Sequence, residues 1–270
     1  MRWLAILLLA TGCAEAPRPR ASARPVRIVS LDYCADQYAL KLAGRHRIVA
    51  LSPHAERPES YMRGAARGIP KVVPRAEEVL ALEPDLVIRS YGGGPGAAAL
   101  FARAGVPVLQ LGYAEDIAGV RAGVIDVARG LGEPARGQAV AAEMDRRLAA
   151  LRRAGDGREL LYMTSGGVTT GPGSLIDALI RASGHRNFQR APGWHPLPLE
   201  RLAYQRPNLI AAAFYGREAL LDRWSAARHP VAAAQLRDRP VVALESAWTA
   251  CGGWFLLDAV EAMARAGRGA

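Results

Sequence analysis

The chain has 270 residues, half of them hydrophobic, and a formal net charge of +10. That length buries a sizeable core in one large domain or two ordinary ones. The charge is almost wholly arginine, with lysine only at Lys41 and Lys71, and the arginines are scattered without interleaved aromatics; this reads as a solvated surface and argues against a nucleic-acid or anionic-membrane footprint.

The first residues read as an export signal. Arg2 supplies a minimal positive region, and Trp3 through Ala10 form an apolar stretch too short to span a bilayer. Leu9-Ala10-Thr11-Gly12-Cys13 resembles a bacterial lipobox, with Ala10 in place of the usual larger aliphatic. A rival cut after Ala14-Glu15-Ala16 would leave Pro17 just beyond the scissile bond, where proline is poorly tolerated, so lipidation of Cys13 is the favoured reading. Either cut puts the mature protein outside the cytoplasm. Residues 16–25, rich in Pro, Arg, Ala and Ser, read as a flexible tether. Two further cysteines, Cys34 and Cys251, raise the suspicion of a disulfide in an oxidising compartment, two free thiols being the alternative.

Strands and helices then alternate. A strand over 27–31 precedes a helix over 33–42, a strand over 48–52, a Pro- and Gly-rich loop over 54–68 and a short strand over 71–73. Next comes Glu77-Glu78-Val79-Leu80-Ala81-Leu82-Glu83-Pro84-Asp85-Leu86-Val87-Ile88, a short helix, a proline stop and a buried strand. Gly92-Gly93-Gly94-Pro95-Gly96 opens a helix to 104, followed by a strand over 106–111 and a helix over 115–131. Gly132-Glu133-Pro134 breaks the pattern. A long helix over 135–153 carries Val140, Met144, Leu148 and Leu151 at close to helical spacing. Alternation resumes with a strand over 159–163 and ends in a helix over 253–266. Within this half the earlier pattern returns as Glu200-Arg201-Leu202-Ala203-Tyr204-Gln205-Arg206-Pro207-Asn208-Leu209-Ile210, with the same Glu-to-Pro spacing of seven. Each copy leads into Tyr-Gly, at Tyr91-Gly92 and Tyr215-Gly216. The expected organisation is a leader and tether over 1–25, an α/β lobe over 26–131, a linking helix over 132–156 and a second α/β lobe over 157–270. Each lobe has a central parallel sheet, and the ligand cleft lies between them.

The order of these features resembles the helix-linked class of periplasmic substrate-binding proteins of ABC importers, which includes cobalamin- and iron–siderophore-binding components. The resemblance rests on Arg27-Ile28-Val29-Ser30-Leu31 with Ile48-Val49-Ala50-Leu51-Ser52, on both repeat copies, and on Gly171-Pro172-Gly173-Ser174-Leu175-Ile176 opening a helix. It spans residues 26 to about 265. It implies a monomeric binding protein without catalysis or cofactor, attached to the membrane only through a lipid anchor. It would capture an iron chelate or corrinoid, iron chelates being the wider group, and deliver it to a permease with small hinge motion. It also implies that Glu77 and Glu200 meet basic residues of that permease; the alternative is two helix-start glutamates favoured by the macrodipole.

Ligands of parallel sheets bind beyond the carboxyl ends of the strands. Those ends nominate Asp32, Tyr33, Ser52, His54, Tyr91 and Gly92 in the first lobe, and Ser165, Tyr215, Trp248 and Trp254 in the second, with Trp194 in a nearby loop. Their aromatics, in a chain only 6% aromatic, suit a large, flat, apolar-faced ligand such as a corrinoid, haem or organic iron chelate. A disulfide between Cys34 and Cys251 would restrain opening of the cleft mouth. A bare zinc or manganese site would draw on His54, His195, Asp32 and Glu245, since His46, His185 and His229 read as surface or turn residues; only two histidines are well placed, so no metal site is assigned. A dinucleotide enzyme would use the glycine run at 92–96 with Asp116, but Pro95 interrupts that run. Ser165 and Ser174 lack the strand–elbow setting of a nucleophile.

Overall fold

The computed structural model describes residues 24–151, 157–214 and 225–268. The first sheet is built from β1 (Ile28–Ser30), β2 (Ile48–Ala50), β3 (Leu86–Arg89) and β4 (Val108–Gln110). Around it lie α1 (Tyr33–Leu42), α2 (Ala76–Leu80), α3 (Ala97–Arg103) and α4 (Ile117–Gly130). The second sheet uses β5 (Glu159–Thr164), β7 (Arg186–Asn187), β9 (Leu209–Ala213) and β10 (Val241–Ala243). Its helices are α6 (Leu175–Ala182), α7 (Leu199–Tyr204), α8 (Pro230–Asp238), α9 (Ser246–Thr249) and α10 (Leu256–Arg268). Between the halves runs α5 (Pro134–Leu151), and a ribbon of β6 (Val168–Thr170) and β8 (Trp194–Pro196) flanks the second sheet.

The strand orders are β2-β1-β3-β4 and β7-β5-β9-β10, parallel throughout. These are one topology used twice: the first strand of each half lies second in its sheet, and the order reverses beside it. The sequence repeat occupies matching places, α2–β3 and α7–β9. Its Pro-Asp or Pro-Asn has one job in both lobes. Asp85 Oδ1 accepts from the Arg27 amide at 3.0 Å, and Asn208 Oδ1 accepts from the Glu159 amide at 2.9 Å. Each side chain thus fixes the register of its strand against the neighbour entering the sheet.

Two expectations need correction. Residues 71–73 form no strand, only a single parallel bridge between Leu51 and Lys71. Trp194 and His195 lie on a strand rather than in a loop, with His195 opposite Thr169 in the antiparallel ribbon.

The linking helix buries Val140, Met144 and Leu151. On α5, Arg147 pairs with Asp258 and Glu261 of α10, each at 2.6 Å. One hydrophobic cluster runs through both halves, from Ile28 and Leu42 through Val124 and Met144 to Leu160, Leu179, Leu257 and Met263. Smaller clusters lie behind the individual sheets, around Val87 and Phe101 in one and Ile210 and Phe188 in the other. Each such side chain contributes about 1.5–3 kcal/mol on burial, so packing and not tethering alone joins the lobes. Polar contacts reinforce the joint: the Tyr38 hydroxyl donates to Gly252 O at 2.9 Å, and the Tyr61 hydroxyl to Asp258 Oδ2 at 2.8 Å. Cys34, at the start of α1, and Cys251, just after α9, are disulfide-bonded with Cα atoms 5.5 Å apart. Of the two states the sequence left open, the fold selects the bond. Among the described residues no helix is long and apolar enough to cross a membrane.

Candidate functional site

The strand order reverses between β1 and β3, so a crevice opens at their carboxyl ends. Asp32 sits there and is only 2% exposed. Its Oδ1 caps α1 by accepting from Ala35 N at 2.9 Å. Its Oδ2 accepts from the amides of Ser90, Tyr91 and Gly92 at 2.7, 3.0 and 2.9 Å. Both oxygens are committed to backbone, which corrects the expectation of a ligand contact: Asp32 holds the turn after β3 against the start of α1. Gly92 serves the same closure, because a Cβ there would lie 2.3 Å from Leu31 O.

Ser52 is buried and donates to Asp36 Oδ2 at 2.6 Å, while its amide reaches Asp36 Oδ1 at 3.1 Å. It is therefore unavailable to a ligand. Burial pushes the Asp36 carboxyl up to about 6, against the lowering effect of hydrogen bonds from Ser52 and Ser30. A folded-state value above the unfolded one stabilises below about pH 4, and that contribution is lost as pH rises through 6. Asp36→Asn is accordingly expected to gain stability relative to the parent between about pH 4 and about pH 7. Urea unfolding across that range checks this, and a pH-independent difference would sink it.

Tyr33 and Tyr91 stand at the rim of the crevice, their rings edge to face with centroids 6.1 Å apart, and Tyr91 is 53% exposed. Burial first, and nearby charge second, raise both phenols above the ordinary range: Glu59 and Asp32 act on Tyr33, and Tyr33 followed by Asp32 on Tyr91. Both present neutral rings and hydroxyls. In the second lobe, Ser165 O accepts from Ser225 Oγ, tying that turn to the chain beyond. Trp194 is exposed and rests edge-on against Tyr162 at 6.1 Å. Tyr215, like Cys13, lies outside the described residues.

Trp254 is placed differently from expectation. It is 7% exposed and packs edge-on against Tyr38 at 5.7 Å and Phe255 at 5.2 Å, with the Lys41 ammonium 5.5 Å from its ring. It belongs to the joint between the lobes and lines a second cavity, of about 370 Å³, with Lys41, Arg136, Val140, Met144 and Arg147. Trp248 does reach an inter-lobe space. A cavity of about 360 Å³ is lined by Tyr61, Arg63, Gly64 and Arg67 of the first lobe and by Glu245, Ala247 and Trp248 of the second. Its size falls within the range of small-molecule sites, about 300–1,000 Å³. The Tyr61 phenol is pushed up to about 12 by burial and by its bond to Asp258, so it too is neutral. Tyr61, Arg63 and Arg67 belong to a segment that reads as loop; its signal is an aromatic and two arginines after the carboxyl end of β2.

Residues of the alternative constellations have local partners. His195 Nε2 lies 2.8 Å from Pro192 O, and Asp32 has no free oxygen. Among the described residues no group of three His, Cys, Asp or Glu is arranged to hold a metal ion. His185 directly follows the turn at 183–184, as one of the two readings had it, and is buried there beside Ser183. His54 is half-buried in a tight turn, its amide 3.3 Å from Ser52 Oγ. Asp116 caps α4 and Ser174 caps α6.

Two α/β lobes of one topology, braced by a long helix and facing each other across a cavity, define a two-lobed ligand-binding protein. The chain belongs to the periplasmic binding protein family, which it matches over residues 28–244; the helix-linked class expected from the sequence is the one its structural neighbours share. It is 30% identical over 196 residues to a cobalamin-binding protein of Halobacterium salinarum, covering 69% of this chain and 53% of that one. The chain thus spans about half the length of the curated relatives it matches. It is similar to the periplasmic haem-binding protein BhuT, solved with two haems, at 27% identity and a TM-score of 0.66, covering 89% of this chain and 98% of BhuT. The vitamin B12-binding protein BtuF of Vibrio cholerae shares the fold at 20% identity and a TM-score of 0.66, covering 91% and 97%.

Proposed function

We propose that this protein is the extracytoplasmic, lipid-anchored binding component of an ABC importer, and that its cargo is a metal chelate with a broad flat face, a tetrapyrrole such as a corrinoid or haem. The observation that carries this is the inter-lobe cavity, to which the first lobe gives Tyr61, Arg63 and Arg67 and the second Trp248 and Glu245. Its two aromatic side chains suit the face of a macrocycle, and Arg63, Arg67 and Glu245 suit polar groups around its edge. The names of the relatives, one for cobalamin and one for haem, support the same class. Binding needs no covalent step. The cargo enters between the lobes, the lobes adjust slightly, and the loaded protein meets its permease.

Glu77 and Glu200 suit the docking role. Both are exposed, each lies in the first turn of its helix at matching places in the two lobes, and neither makes an ion pair among the described residues. Titration with haemin, cyanocobalamin and ferric siderophores, followed by tryptophan fluorescence and melting temperature, tests the cargo. Saturable quenching by a macrocycle is expected. A response to zinc or manganese salts alone, abolished by a chelator, would overturn it. Glu77→Lys with Glu200→Lys is expected to abolish uptake in cells and leave ligand affinity unchanged; weakened ligand binding would count against docking.

A further inference from the structure

The second cavity, of about 370 Å³, shares no lining residue with the inter-lobe cavity. Three parts of the chain bound it: the last turn of α1 through Lys41, the linking helix α5, and the segment entering α10 through Trp254. Its apolar lining is Val140, Met144 and Trp254, all buried. Three cations and one carboxylate complete the polar lining. Two of these four charges are already matched. Arg147 pairs with Asp258 and Glu261, and Glu143 pairs with Arg146. Lys41 and Arg136 make no ion pair among the described residues. The Lys41 ammonium lies 5.5 Å from the centre of the Trp254 ring, and Arg136 Nη1 donates to Leu42 O at 3.0 Å.

The carboxyl end of α1 accounts for two cations gathering there, since the helix dipole favours them. It does not account for the space beside them. Protein interiors are close-packed, and voids larger than a water molecule are few; this joint is filled elsewhere by Leu42, Phe255 and Leu257. The volume falls within the range of small-molecule sites, about 300–1,000 Å³. An anion with an apolar body answers both features: its charge meets Lys41 and Arg136, and its body covers Val140, Met144 and Trp254. We propose that this cavity is a second ligand site, separate from the cargo site, for a small carboxylate with an apolar body. Its occupant touches the first lobe, the linking helix and the second lobe at once, and so braces the joint.

Isothermal titration with 4-phenylbutyrate tests the site whatever the cargo proves to be. One-to-one binding is expected, with a melting temperature raised by the acid. The alcohol 4-phenylbutan-1-ol, of the same shape without the charge, should bind about 10-fold more weakly or worse. Lys41→Met removes the charge and should bring the acid close to the alcohol. Ala139 is exposed on α5 and lines the cavity; Ala139→Trp fills the space without touching either cation and should weaken acid and alcohol alike. Arg63→Gln with Arg67→Gln, in the other cavity, should leave both affinities unchanged. Absence of binding at millimolar acid, or equal affinity of the parent for acid and alcohol, would overturn the proposal. So would binding that survives Ala139→Trp but is lost with Arg63 and Arg67, which would put the acid between the lobes.

Discussion

Replacing Asp32 by alanine is expected to destabilise the protein by about 4 kcal/mol, among the largest effects of any single substitution here. The carboxylate accepts four backbone hydrogen bonds while almost fully buried. Hydrogen bonds to a charged group are worth about 1.5–3 kcal/mol each, and deleting the acceptor leaves buried N–H groups without partners. Water entering the vacated space recovers part of this. Asp32→Asn separates the two roles. With its oxygen kept toward the turn at 90–92 it loses the cap on α1, a change of about 1–2 kcal/mol. Chemical unfolding of both variants reads the difference. A normal melting temperature with lost ligand affinity in Asp32→Ala would show instead that this residue contacts the cargo.

Reduction of the Cys34–Cys251 bond carries the second large effect. The bond closes a loop of 217 residues. In the chain-entropy account, loops this long are stabilised by about 5 kcal/mol, and removal of native disulfides costs about 2–5 kcal/mol. Melting with and without reductant, beside the double variant Cys34→Ser with Cys251→Ser, is expected to show a fall of about 5–15 °C. Intact mass should rise by two hydrogens on reduction. Because the bond ties the start of α1 to the turn after α9, its loss should also loosen the cleft mouth and raise the rate at which ligand leaves. Identical melting curves would mean that the surrounding core alone fixes the joint.

Much of the architecture was legible because it depends on local pattern. The repeat at 77–88 and 200–210 announced two matched lobes, and its Pro-Asp and Pro-Asn proved to register neighbouring strands in both. The long helix followed from apolar spacing, and Val140, Met144 and Leu151 are indeed its buried face. The candidate site was less legible, for a physical reason. The donors that claim Asp32 lie about sixty residues along the chain, and Trp254 is covered by Tyr38 and Tyr61 from the opposite lobe. A strand end tells where a residue sits but not whether tertiary partners have already used it. Tyr61, Arg63 and Arg67 were hidden for the converse reason, a loop without periodicity being brought to the cavity by the fold. The β6–β8 ribbon was missed because its strands are three residues long and separated by α6.

The single hydrophobic cluster shared by both halves constrains how such a molecule can be rebuilt. Ile28 near one end of the described chain and Met263 near the other fill the same interior. A lobe taken from a relative would bring a surface shaped to its own partner, and the mismatch would appear as cavities or clashes costing several kcal/mol. Recombination between relatives at the long helix is therefore a poor route to new cargo. Exchange of the exposed residues that line the cavity, Arg63, Gly64 and Arg67, leaves that interior intact and is the better-tolerated graft.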